Sequence, residues 1–139
     1  MTPSIVMDTT SLAGFLKQEF PQSNIIIDDV AYGRIKVRQA IEHKHLRPGN
    51  TVAGPVLMAV ADVALYLAIL AIKGPVALAV TTSLNINFLR KPAADKDILG
   101  DCRLIKIGKR LVIGEVFVYS EGDPEAVAHV TGTYSIPPG

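Results

Sequence analysis

The sequence predicts an α+β domain in which an antiparallel β-sheet wraps around one long buried helix. Three observations predict it. Residues 55–72 (PVLMAVADVALYLAILAI) are 18 residues whose sole charge is Asp62. A helix that is apolar all round has no face for water, so protein or lipid must enclose it. The segments that follow are rich in Val, Ile and Thr and are separated by turn residues, which is the composition of strands.

Taken in order, the elements make one domain over residues 1–139, opened by a helical segment within residues 1–22. Residues 9–20 (TTSLAGFLKQEF) read as a short amphipathic helix. Leu12, Phe15, Leu16 and Phe20 fall near one face, Thr or Ser supplies the cap, and Pro21 ends it. In residues 31–40 the period-two alternation from Arg34 to Arg38 predicts a strand with Ile35 and Val37 facing in. Residues 41–53 are polar and contain Pro48-Gly49, so they read as a loop. Gly54-Pro55 then starts the long helix and Lys73-Gly74-Pro75 stops it. Four strands are expected at 76–89, 98–107, 111–120 and 125–136. Gly108-Lys109 marks a hairpin, and Glu121-Gly122-Asp123-Pro124 a turn. The order predicts a four-strand meander without long crossovers.

Composition narrows the function classes. Asp62 near a helix centre costs about 2.5–3.5 kcal/mol on insertion scales, and there is no second apolar span, so a membrane role is not expected. At 49% hydrophobic content the chain has more apolar material than a small core holds, which predicts a homo-oligomer. A net charge of +1 argues against a nucleic-acid partner. The one cysteine, Cys102, excludes a disulfide framework and a cysteine-rich zinc site, and reads as a buried inert thiol. His43 and His45 have no third ligand at metal spacing, so no metal is expected; His129 reads as a strand side chain. MTPSIVMDTT lacks a basic region followed by an apolar one, so the expected location is cytoplasmic.

Asp62 is the candidate for chemistry. A buried carboxylate is expensive unless hydrogen bonds or a positive field hold it. Three stretches surround or follow it in a definite order: RPGNTVAGPVLMAVADVALY, ALAVTTSLNINFLRKP and GKRLVIGEVFV. In order and spacing they resemble the hotdog-fold acyl-CoA thioesterases of the phenylacetic-acid-degradation type, over about Ala31 to Ile136. The resemblance implies a sheet of five or six strands around the helix, paired into a homodimer with a continuous sheet or into a homotetramer. It implies hydrolysis of an acyl-CoA to an acid and free coenzyme A, with no metal or redox cofactor. Asp62 would be nucleophile or base, and the Gly54 N–H of the neighbouring subunit the oxyanion donor. Thr81, preferred over Thr82 and Ser83, would position water. By period two, Thr81 and Ser83 share one sheet face and Thr82 takes the other.

Coenzyme A carries phosphates that call for exposed cations, and Arg90, Lys109 and Arg110 are the candidates. Leu57, Met58 and Tyr66 would line the acyl site. The chain departs from the family at Ala53-Gly54-Pro55, where many members carry His-Gly-Gly. Arg47 or Asn50 occupies the region of a family Asn, and neither transfers cleanly. The missing histidine motivates a rival reading, a non-catalytic acyl-CoA-binding or regulatory module. A lyase is a weaker rival, because Asp62 is followed by Leu67 where a paired histidine would stand.

Overall fold

The computed structural model describes residues 3–138. Helix α1 spans Thr9–Glu19, and a hairpin of β1 (Ile26–Ala31) and β2 (Arg34–Gln39) follows. A short 3-10 turn (His43–His45) leads to the two-residue strands β3 (Leu46–Arg47) and β4 (Thr51–Val52). The long helix α2 (Gly54–Lys73) precedes β5 (Val80–Phe88), β6 (Ile98–Ile107), β7 (Leu111–Ser120) and β8 (Ala128–Ser135). β6 and β7 occupy the residues the sequence assigns them. β5 starts four residues later than expected, because Val76–Ala79 form a turn closed by the Ala79 N–H on the Val76 carbonyl.

The six long strands form one antiparallel sheet in the order β1-β2-β6-β7-β8-β5. This corrects the expected meander: only β6, β7 and β8 follow one another. β5 pairs with β8 rather than β6. The chain returns from β5 through residues 89–97 across the ends of β8 and β7. Three strand spacings are about 14 Å, well within the reach of nine extended residues. The crossing segment is tied down as it goes. Leu89 and Arg90 N–H donate to the Val127 carbonyl, Ala93 N–H to Ser120 Oγ, and Thr51 Oγ1 to the Pro92 carbonyl.

β1 is a strand that the sequence does not announce. Its two adjacent aspartates, Asp28 and Asp29, and a register irregularity between Ile27 and Asp29 hide the alternation. Arg38 on β2 fastens this edge, donating to Asp97 (2.9 Å), Glu121 (2.6 Å) and Asp28 (3.3 Å). At α1 the cap is Asp8 rather than Thr or Ser, its carboxylate accepting from Ser11 N–H at 2.9 Å.

Helix α2 is long and apolar enough to cross a bilayer by length and composition. Here it lies on the concave face of the sheet, against β2, β6, β7 and β8. Leu57, Val60, Leu65, Leu67, Ile69 and Leu70 are all 1% exposed or less. Inward positions alternate along β2, β6 and β8: Ile35, Val37 and Gln39; Ile98, Gly100, Cys102 and Leu104; Val130, Gly132 and Tyr134. Gly114 and Gly132 are ladder partners directly beneath Leu65. A methyl on Gly132 would lie 2.6 Å from Leu65 Cδ1, and one on Gly114 2.7 Å from Leu65 Cδ2. The missing side chains let the helix sit close to the sheet.

Candidate functional site

Asp62 sits near the middle of α2 on the side turned toward β5 and the end of β8. Thr81, at the start of β5, and Tyr134, near the end of β8, are direct partners in the ladder. Both reach the same carboxylate oxygen. Thr81 Oγ1 donates to Asp62 Oδ1 at 2.8 Å and the Tyr134 hydroxyl donates to it at 2.6 Å. Asp62 Oδ2 accepts no hydrogen bond among the described residues.

The local sequence explains this meeting. Between Thr81 and Ser83 the register against β8 slips by one residue, a bulge that leaves Thr82 extra. The bulge interrupts the expected alternation, so the simple assignment of Thr81 and Ser83 to one face does not hold; bulges re-aim side chains in this way. The Thr82 hydroxyl is turned to the Thr133 carbonyl at 3.2 Å. Tyr134 was missed by sequence reasoning. The signal existed: Ala128, Val130, Gly132 and Tyr134 share the inward face, and a buried tyrosine hydroxyl needs a partner. Burial first, and then the hydrogen bond to Asp62, raise the Tyr134 phenol well above the ordinary tyrosine range, so it stays protonated as a donor.

These groups line a cavity of about 610 Å³. Its apolar wall is built by Leu16 of α1 and Phe20 just past its end, Val63 and Tyr66 of α2, and Ala79. Tyr66 is braced edge-on by Phe20 at 5.6 Å and donates its hydroxyl to the Ala77 carbonyl at 3.1 Å. Gln39, Lys44 and His45 stand on the polar side. His45 Nδ1 accepts the Glu42 N–H at 2.8 Å.

Gly54 is the first residue of the helix, eight residues and about 12 Å from Asp62. It lines a separate cavity of about 540 Å³ with Leu57, Phe88, Arg47, Arg90 and Lys91. Ala53 supplies no side-chain cap there. A methyl on Gly54 would meet the Phe88 ring at 3.1 Å. So within one chain Asp62 and Thr81 come together, Gly54 and Arg90 come together, and the two pairs do not meet. Lys109 and Arg110 stand exposed on the β6–β7 hairpin and line neither cavity. Met58 is 36% exposed and also lines neither, while Tyr66 faces Asp62's cavity. Asn50, in the β3–β4 turn, holds a left-handed φ of 55°.

Residues 49–127 match the model of the thioesterase superfamily. A candidate thioesterase from Silicibacter sp. TM1040 is 45% identical with a TM-score of 0.90, over 96% of this chain and 94% of that one. A point variant of the phenylacetic acid degradation protein PaaI from Thermus thermophilus is 27% identical with a TM-score of 0.73, over 89% and 99%. A Streptococcus mutans UA159 protein, solved bound to acetyl-CoA, shares the fold at 21% identity and a TM-score of 0.73, over 83% and 90%. No curated protein matches the chain. With its sheet curled around one apolar helix and these relatives, the chain is a PaaI-like hotdog protein that belongs to the thioesterase superfamily, and its function is of the thioesterase type.

Proposed function

We propose that this protein hydrolyses an acyl-CoA to a carboxylic acid and free coenzyme A. The observation that carries the reading is Asp62, the one carboxylate inside α2, set on the wall of a largely apolar cavity with the Thr81 hydroxyl 2.8 Å away. Acting as base, Asp62 takes a proton from water whose other hydrogen Thr81 Oγ1 can accept. The resulting hydroxide adds to the thioester carbonyl carbon. Collapse breaks the C–S bond, and the coenzyme A thiolate takes the proton from Asp62. A thiolate leaves readily, so one carboxylate and an oxyanion donor suffice. Asp62 acting as nucleophile is the variant of this scheme.

The oxyanion donor in this reading is the Gly54 N–H of a second copy. Two features support it. Asp62 and Gly54 face separate cavities in one chain. The β5 edge beside both is unpaired among the described residues and carries Val80 and Phe88, each 55% exposed, as an apolar strip suited to a homodimer. Arg90, joined by Arg47 and Lys91 at the Gly54 cavity, is the first candidate for a coenzyme A phosphate. Lys109 and Arg110 are candidates for the outer one. The acetyl-CoA held by the Streptococcus mutans protein of the same fold supports this ligand class.

The rival reading, a binding module without turnover, is favoured by Ala53, which leaves the helix start without a polar side chain. Thiol release from acetyl-, hexanoyl- and phenylacetyl-CoA separates the two. Turnover that Asp62→Asn lowers by about 100-fold or more establishes hydrolysis. Binding without turnover, unchanged by Asp62→Asn, defeats it.

A further inference from the structure

The hydrolysis scheme uses one hydroxyl beside Asp62, yet the carboxylate has two. Tyr134 is 3% exposed, and its ring packs against Tyr66 with centroids 6.3 Å apart. Its oxygen is 2.6 Å from Asp62 Oδ1 and 3.0 Å from the Asp62 backbone carbonyl. With Thr81 opposite it in the ladder, two O–H donors converge on one oxygen. A carboxylate oxygen offers about two acceptor sites, so Oδ1 is saturated. The terminal torsion of an aspartate is otherwise broad. Two donors fixed to neighbouring strands remove that freedom.

We infer that Tyr134 is a positioning residue for thioester hydrolysis: together with Thr81 it fills Oδ1 of Asp62 and commits Oδ2 to the substrate side. This rests on the proposed function. Tyr134 does not touch the substrate; it acts through Asp62. The arrangement divides the labour between the two oxygens, one for anchorage and one for proton transfer. The ring's fixed position makes phenylalanine a suitable replacement, since it keeps the packing and removes only the donor.

The test compares the full-length protein with Tyr134→Phe and Asp62→Asn, reading thiol release from the same three acyl-CoAs per folded protomer. In Tyr134→Phe, kcat falls by about tenfold or more with KM within about twofold, the signature of a group acting in the transition state. Crystals of Tyr134→Phe show the Asp62 carboxylate turned or spread over more than one orientation, a readout that a smaller folded fraction does not imitate. An inactive Asp62→Asn beside a Tyr134→Phe with native kcat and an unturned carboxylate overturns the inference and leaves hydrolysis standing. If the unaltered protein releases no thiol from any of the three, hydrolysis fails instead. The orientation of the Asp62 carboxylate in Tyr134→Phe then decides the tether alone: a turned or spread carboxylate upholds it, and an unmoved one overturns it.

Discussion

Alanine at Gly132 tests how closely α2 rests on its sheet. Neither Gly132 nor Gly114 has a positive φ, so space rather than backbone conformation accounts for them. Leu65 straddles the pair, with one terminal methyl over each, and is 1% exposed. Carbon atoms pack best at about 3.5–4.0 Å, so a contact of 2.6 Å leaves a shortfall of about 1 Å. Rotating Leu65 away from Gly132 drives its other methyl toward Gly114, and Leu84 Cδ1 already stands 3.1 Å from the new methyl. Overpacking of this kind costs about 1–3 kcal/mol. With open space the sign would reverse, because replacing glycine inside a strand by alanine gains about 0.5–1 kcal/mol. Leu65→Ala alone should cost about 2–5 kcal/mol. In that background the methyl added by Gly132→Ala enters vacated space, so the substitution becomes neutral or stabilising, a coupling of about 1–4 kcal/mol. Urea unfolding at fixed protomer concentration measures all four species. A stabilising Gly132→Ala in the unaltered protein, or an equal effect in both backgrounds, refutes the packing argument.

Three further experiments address the thiol and the shared site. Burial, reinforced by Asp101 and Glu115, pushes the Cys102 thiol up to about 12. The unfolded chain therefore loses this proton first, so its contribution is whole below the ordinary thiol range and drains away as pH rises toward 12. Between pH 9 and 10 unfolding free energy should drop by about 1 kcal/mol from this group, a slope that Cys102→Ala flattens. At pH 8 iodoacetamide should label Cys102 only after denaturation, and rapid native labelling would contradict the burial. If the site is shared between copies, Gly54→Val and Asp62→Asn are each inactive. Unfolded together and refolded as a random mixture, they recover about a quarter of native turnover, since half the dimers hold one intact site of two. No recovery from a mixture that forms heterodimers means each chain supplies its own donor.

Local signals carried much of this architecture. Leu111–Ser120 and Ile98–Ile107 are bounded by turn residues and alternate cleanly, and their ends are visible in the chain. The apolar stretch, with a Gly-Pro pair at either end, likewise marks α2 within a residue at each terminus. The partner of β5 was not legible, because an exposed edge strand carries no burial pattern to choose between neighbours. Nor was the bulge at Thr82, which arises from pairing with β8 rather than from any turn residue. For the candidate site, Asp62 stood out as a lone charge and Thr81 by the resemblance. Tyr134 lies 72 residues from Asp62, and only the three-dimensional return of the last strand joins them.

The placement of β8 between β7 and β5 also governs how the chain is made. As synthesis proceeds, α2 emerges before β6, β7 and β8, which cover it, and β5 finds no partner until residues past Ser135 have left the ribosome. For that interval a nascent chain presents its greasiest helix and a bare strand edge to the cell. Non-local pairing of this sort is slow and exposes sticky surface. Ribosome-associated chaperones should therefore engage this chain most strongly while its length lies between the ends of β5 and β8.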